Sequence, residues 1–308
     1  MINKFYIYFI LTLIQIISAA DWYFENDSPW ANNTSARSSA LGGVCLENFD
    51  ELSKSNQLEE SDGIRVFSSS IYDNSIKYNN IFYTKKIDDF NIFGNQIKSI
   101  RIGFLNRKID NILNTTDIWS DEFSPPTTPD DLNDGSIDYY SHNDFSGSIF
   151  IPLVNNIGQF SLNLKPGFSK VGSDSFKALN LDISFLYLLN DNFFIGSTIN
   201  NFFSFRKWSS GTNERFYPHI SLLLNYNFKN LKSFLKIHNL SNFDMNNNIS
   251  IGLEYLVYKD LYLRGGYSNQ HSSIGLGMHL YNIIFDYTYL NHEYLGNSSQ
   301  ISIALRVK

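Results

Sequence analysis

The chain has 308 residues, with 24 lysines and arginines against 30 aspartates and glutamates, a net charge of −6 spread along its length. A balance this modest, with no basic patch, argues against nucleic acid as a partner. Cys45 is the single cysteine, so no intrachain disulfide can form.

The N-terminus reads as a secretory signal. Lys4 supplies the positive charge, Phe5 to Ile17 is apolar apart from Thr12 and Gln15, and Ser18, Ala19 and Ala20 give the small-x-small pattern of a cleavage site. Cleavage is expected after Ala20, with Ala19 as second choice, so residues 1–20 form the signal peptide. The alternative, an uncleaved helical anchor, falls short of the roughly 20 apolar residues that span a bilayer. A lipobox ending in Cys45 fails, because Val44 is too large before the cysteine.

Residues 21–63 are irregular, polar and acidic, and read as an N-terminal periplasmic or plug segment. From 64 to 308 the pattern changes to alternation. Leu179, Leu181, Ile183, Phe185, Tyr187 and Leu189 share one face of a strand, with Asn180, Asp182 and Ser184 on the other. Ile249, Ile251, Leu253, Tyr255 and Val257 oppose Ser250, Gly252 and Glu254, and Phe285 and Tyr287 oppose Asp286 and Thr288. Several of these segments reach nine residues, the length of a tilted bilayer-crossing strand.

About fourteen such segments can be counted, and the even number suits a closed bacterial barrel. Short connections at 154–157, 190–192, 229–230, 259–260 and 282 alternate with longer ones at 108–138, 170–175, 206–215, 240–247, 269–272 and 292–298. Short periplasmic turns and long outer loops are the habit of outer-membrane barrels. The expected fold is therefore an all-β, closed antiparallel transmembrane barrel of about fourteen strands, in the bacterial outer membrane with its termini on the periplasmic side. The connection 85–96 breaks the pattern, being long where a short turn belongs.

Candidate chemistry thins out on inspection. Asp130 to Gly135 resembles a calcium loop, but Leu132 stands where an oxygen ligand is needed. The six histidines show no metal-ligand spacing, and no cofactor motif is present. His219-Ile220-Ser221 and His271-Ser272-Ser273 have the His-x-Ser spacing of barrel phospholipases. The alternation turns His219 and Ser221 inward, away from lipid, so an outer-membrane hydrolase is the remote alternative and a non-enzyme is expected. Asp182, Glu254, Arg264 and Asp286 also fall on inward faces, either as a wet channel lining or, preferred, as a structural ion-pair network.

The C-terminal third carries a resemblance. Gly252-Leu253-Glu254-Tyr255, Leu261-Tyr262-Leu263-Arg264-Gly265-Gly266-Tyr267, Gly275-Leu276-Gly277, Asp286-Tyr287-Thr288-Tyr289 and Leu295-Gly296-Asn297-Ser298 resemble the PorV/PorQ family, which is similar to the FadL-type barrels. Ala36-Arg37-Ser38-Ser39-Ala40-Leu41-Gly42-Gly43 looks like that family's first block, which makes Ala36, Arg37, Gly42 and Gly43 the plug motif. The family's Asn-Pro-Ala continuation is missing from 44–80, and no aromatic residue closes the chain. The resemblance implies passage of hydrophobic solutes, as in FadL. Its alternative is a scaffold that docks secreted proteins at an outer-membrane secretion apparatus, and a barrel with only surface contacts is a third reading. Partners are then outer-membrane lipid with either a hydrophobic small molecule or a secreted protein; the sequence does not set the oligomeric state. Trp119, Phe123 and Trp208 are the expected loop contacts.

Overall fold

The computed structural model describes residues 23–24, 35–44, 62–72, 74–92, 95–114, 138–155, 158–238, 240, 249–268, 271–292 and 296–307. Expectations for the signal peptide, Trp119, Phe123 and Cys45 lie outside the described residues.

Fourteen antiparallel strands form a closed up-and-down barrel: β2 (Asp62–Ile71), β3 (Ile76–Ile92), β4 (Asn95–Asn114), β5 (Asp138–Val154), β6 (Gln159–Val171), β7 (Asp174–Asn190), β8 (Phe193–Trp208), β10 (His219–Phe228), β11 (Leu231–Ile237), β12 (Ile249–Tyr258), β13 (Leu261–Ser268), β14 (His271–Leu280), β15 (Ile283–His292) and β16 (Gly296–Val307). Each strand pairs with the next, and β16 pairs with β2 from Ser299 opposite Ser70 to Val307 opposite Asp62. Closure leaves no barrel strand without a neighbour, as hydrocarbon demands of any spanning sheet. A short β9 (Asn213–Phe216) extends the β8 hairpin, with Arg206 opposite Glu214, and β1 (Tyr23–Phe24) runs parallel to β9. One helical turn, α1 (Ala36–Ala40), lies inside the barrel.

Burial is inverted relative to a water-soluble domain. On β7, Asp182 and Ser184 are 1% exposed while Phe185 is 39% exposed, and on β12 Glu254 is 2% exposed beside Leu253 at 48%. Leu181, Ile183, Ile251, Phe285 and Tyr287 share the outward face with Phe185 and Leu253. A surface of that kind is stable only against lipid, so the apolar face is the one that meets the membrane.

Asp62 and Val307 mark the same end of the barrel as the turns at Lys229–Asn230, Lys259–Asp260 and Tyr281–Asn282. The first residue of each of these turns has a positive φ (52°, 41° and 50°), the conformation that two-residue hairpins select. Four connections differ from expectation. The expected loop 108–138 is strand at its start, since β4 runs to Asn114 and pairs there with the beginning of β5. The segment 85–96 is not a long loop: β3 runs to Ile92 and β4 begins at Asn95, with a register shift between Lys86 and Phe90. The segment 170–175 is a two-residue turn at 172–173, with Gly172 at φ 58°. Most of 206–215 is a hairpin of β8 and β9 around 209–212.

Candidate functional site: the barrel interior

The helical turn sits across the lumen. Ser35 caps it by accepting a hydrogen bond from the Ser38 amide at 3.1 Å, and Gly42 and Gly43 end it with φ of 71° and 72°. The left-handed conformation lets the amides of Leu41, Gly42 and Gly43 bond back to the carbonyls of Ser38 and Ser39. At one end, Ala36 packs with Phe67, Tyr78 and Leu105 on β2, β3 and β4. At the other, Leu41 and Val44 pack with Leu223, Phe234 and Leu186 on β10, β11 and β7. Residues 35–44 thus touch opposite sides of the barrel.

Strands β12 to β14 make room for it with glycines. A Cβ at Gly266 would lie 2.1 Å from the Gly42 nitrogen, one at Gly252 would lie 2.6 Å from the Leu41 carbonyl oxygen, and one at Gly275 would lie 2.5 Å from the Ala40 Cβ. No side chain fits at those separations. Polar contacts complete the seat: Thr288 Oγ1 donates to the Ala36 carbonyl, Ser273 Oγ to the Ala40 carbonyl at 3.0 Å, and Lys236 Nζ to the Gly43 carbonyl at 3.2 Å.

Glu254 is the hub of the charges beneath this seat. Its carboxylate accepts from Arg37 Nε at 2.7 Å and Arg37 Nη2 at 3.1 Å, and from Arg264 Nε at 2.8 Å, with Lys232 Nζ at 3.2 Å. Arg264 also reaches Asp286 Oδ1 at 2.6 Å. Arg264 and Glu254 are each 2% exposed. A buried charge without a partner costs several kcal/mol, so multiple pairing holds this network and the helical turn together. Three of the four inward charges picked from alternation therefore meet at one point.

Asp182 belongs to a second group on β4 to β8. It pairs with Lys165 and accepts the Asn201 amide at 2.8 Å, where β8 bulges with Asn201 at φ 54°. Next to it Arg107 pairs with Asp144, and Arg206 lies 4.1 Å from the Phe176 ring centre and 4.5 Å from that of Phe216, with Glu214 at 3.3 Å.

Between β5 and β6 the ladder has a gap. Ser146 pairs with Gly167 and Ile149 with Leu164, but Gly147 and Ser148 are not paired with Lys165 and Pro166. Pro166 has no amide hydrogen to give. A small cavity lies beside this gap, bordered by inward Asp144, Lys165, Asn180, Phe176 and Arg206 and by outward Phe145 and Phe168. Outward residues of β6 are apolar from Phe160 through Phe168, so Pro166 lies within the lipid-facing band.

Trp208 is the last residue of β8 and not a loop residue. Its ring meets that of Phe176 edge-on at 4.8 Å, half-buried. Ser, His and Asp come together at His142, Asp144 and Ser169, but the same His142 Nε2 faces Asp144 Oδ1 at 3.0 Å and Ser169 Oγ at 2.9 Å. A relay needs the two ring nitrogens on separate partners. Ser273 of the second His-x-Ser pair is engaged with Ala40, and His219 and Ser221 face inward. Among the described residues, no three His, Cys, Asp or Glu side chains gather as a metal site.

Sequence reasoning did not single out Lys232, Lys165, Arg107 or Asp144. The alternation on β11 offered a signal for Lys232, since it sits opposite Glu254 by register. Arg107 and Asp144 pair across β4 and β5, which only strand pairing reveals.

No family model and no curated protein matches the chain. Among solved structures, the Pseudomonas putida toluene transporter TodX is similar with a TM-score of 0.51 at 12% identity, over 93% of this chain and 99% of that one. The Ralstonia pickettii toluene transporter TbuX is similar with a TM-score of 0.52 at 8% identity, over 90% and 99%. The likeness is one of fold: a closed antiparallel barrel of fourteen strands. Fold, inverted burial and strand closure make this chain a bacterial outer-membrane β-barrel.

Proposed function

We propose that the barrel passes small hydrophobic solutes from its mouth into the membrane through the wall, without chemistry on them. The observation that carries this is the unpaired stretch at Pro166, flanked by a small cavity whose lining residues come from both the lumen-facing and the lipid-facing positions of β5 and β6. The straight route along the axis is obstructed by residues 35–44, which act as a plug held by Arg37, Gly42 and Gly43. An apolar solute leaving sideways stays clear of the polar lumen below and passes Asp144, Lys165 and Arg206, whose charges are already paired with Arg107, Asp182 and Glu214. The toluene-transporting neighbours share the architecture. Support for a PorV/PorQ-type ancestry is that the glycines carrying the resemblance (Gly252, Gly266, Gly275) are those that seat the plug.

The test is uptake of labelled toluene and of a long-chain fatty acid by liposomes holding the purified barrel. Pro166→Thr restores an amide hydrogen in a residue that favours strands, and should reduce uptake several-fold with the barrel still folded on a heat-shift gel. Undiminished uptake would remove the lateral route. Docking makes the opposite forecast: no uptake by the wild type, but a co-purifying secreted protein that is lost when 115–137, with Trp119 and Phe123, is deleted.

A further inference from the structure

A second cavity, about 520 Å³ including its open mouth, lies at the long-loop end between β2, β3, β14, β15 and β16, remote from Pro166. Its walls are aromatic and aliphatic on one side and polar on the other. The His271 and His292 rings stack with centres 6.4 Å apart, and Tyr72 meets His292 edge-on at 5.7 Å. Ile71 and Leu290 close the apolar side. Two lining residues, Gln300 and Ser69, 6% and 5% exposed, each hold a buried oxygen, Oε1 and Oγ, that has no hydrogen-bond partner among the described residues. Among the described residues, no carboxylate, lysine or arginine borders the cavity.

We infer that this cavity is a binding site for a small, uncharged aromatic molecule bearing a hydroxyl group, a phenol. A buried acceptor without a donor is costly, and native structures satisfy such groups with a partner or a ligand. Gln300 Oε1 can only accept, whereas the Ser69 hydroxyl can give or take. One phenolic hydroxyl does both, donating to Gln300 and accepting from Ser69. Its ring then lies against Leu290 and Ile71 and presents an edge or face to His292 and Tyr72, the preferred geometry of aromatic pairs. The lack of fixed charge among the described lining residues disfavours carboxylates and amines. Burial raises the Tyr72 phenol above its ordinary range, so it remains neutral and adds no charge of its own. An apolar solute such as toluene leaves both orphan groups unsatisfied and is held less tightly.

This deepens the transport reading by naming a first station at the mouth and its preferred solute. The two are tested apart, because binding is read at equilibrium on the full chain in detergent, by calorimetry with p-cresol, toluene and methyl glucoside. Wild type should bind p-cresol saturably and more tightly than toluene. Gln300→Leu should weaken p-cresol by about tenfold, the effect of one lost hydrogen bond to a buried acceptor, and leave toluene unchanged. Ser69→Ala should weaken p-cresol by less, and serves alone if the first variant does not give a heat-resistant barrel. Equal binding of p-cresol and toluene, loss of neither on substitution, or binding of the glucoside in preference would each overturn the assignment. Wild-type toluene uptake with no p-cresol binding would refute the site and spare the transport reading.

Discussion

From β10 to β15 the strands are seven to ten residues long, whereas from β3 to β8 they are thirteen to twenty. The short side is smooth, with a single register shift near Leu256, and glycines set the approach of an internal segment. The long side carries the irregularities: shifts between Lys86 and Phe90, between Ile109 and Ile112 and between Leu181 and Ile183, and the unpaired stretch at Pro166. Charge follows the same division. On the short side one carboxylate, Glu254, serves Arg37, Lys232 and Arg264 together. On the long side the ions pair locally, Arg107 with Asp144, Lys165 with Asp182 and Arg206 with Glu214. A hub ties elements distant in sequence into one cooperative unit, while local pairs let neighbouring strands depart from register one at a time. The anchored side is suited to hold a plug and the irregular side to open.

The hub is where this contrast breaks most readily. Glu254→Gln leaves three buried cations with no carboxylate hub, and should cost about 3–5 kcal/mol, read as a lower urea midpoint of the purified barrel. Residues 35–44 should also become open to added protease. If the variant matches wild type in both, the hub does not hold residues 35–44 against the short side.

Asp144→Asn strips one carboxylate from Arg107 and His142, and should cost about 2–3 kcal/mol, less than the hub. The loss should leave protease protection of 35–44 intact. A loss equal to that of Glu254→Gln would erase the difference between the two sides.

Pro166→Thr should raise stability by about 1 kcal/mol, the net worth of a restored ladder hydrogen bond, as it lowers uptake. Stability and transport moving together would show that the gap is not a compromise between them. The smallest effect belongs to the short-turn end. Tyr281 is fully exposed at φ 50°, and Tyr281→Asn should stabilise by about 0.5–1 kcal/mol without touching uptake, since asparagine tolerates the left-handed region.

Strand positions were legible because lipid on one face and polar lumen on the other impose a period of two on every membrane-crossing segment. The same physics explains the misreadings. Beyond the apolar band the outward face is polar as well, so Lys85, Lys86 and Asn91 in β3, or outward Lys207 next to inward Arg206 in β8, show no apolar–polar alternation and read as loops. Inward charges were legible one strand at a time, as polar residues on the wrong side of an apolar pattern. Their partners were not, because register between strands is set by turns and bulges such as the one at Asn201.

The sequence by itself determined the compartment-defining pattern, the number of strands and the inward direction of Asp182, Glu254, Arg264 and Asp286, since each follows from side chains near one another in the chain. Only the tertiary structure decided that Arg37 reaches Glu254 across 217 positions, that Gly252, Gly266 and Gly275 are bare in order to admit a backbone, and that the β5–β6 ladder breaks at Pro166. Those are contacts between segments far apart in the chain. A periodic pattern records which face a residue occupies but not what stands opposite it once the sheet has closed.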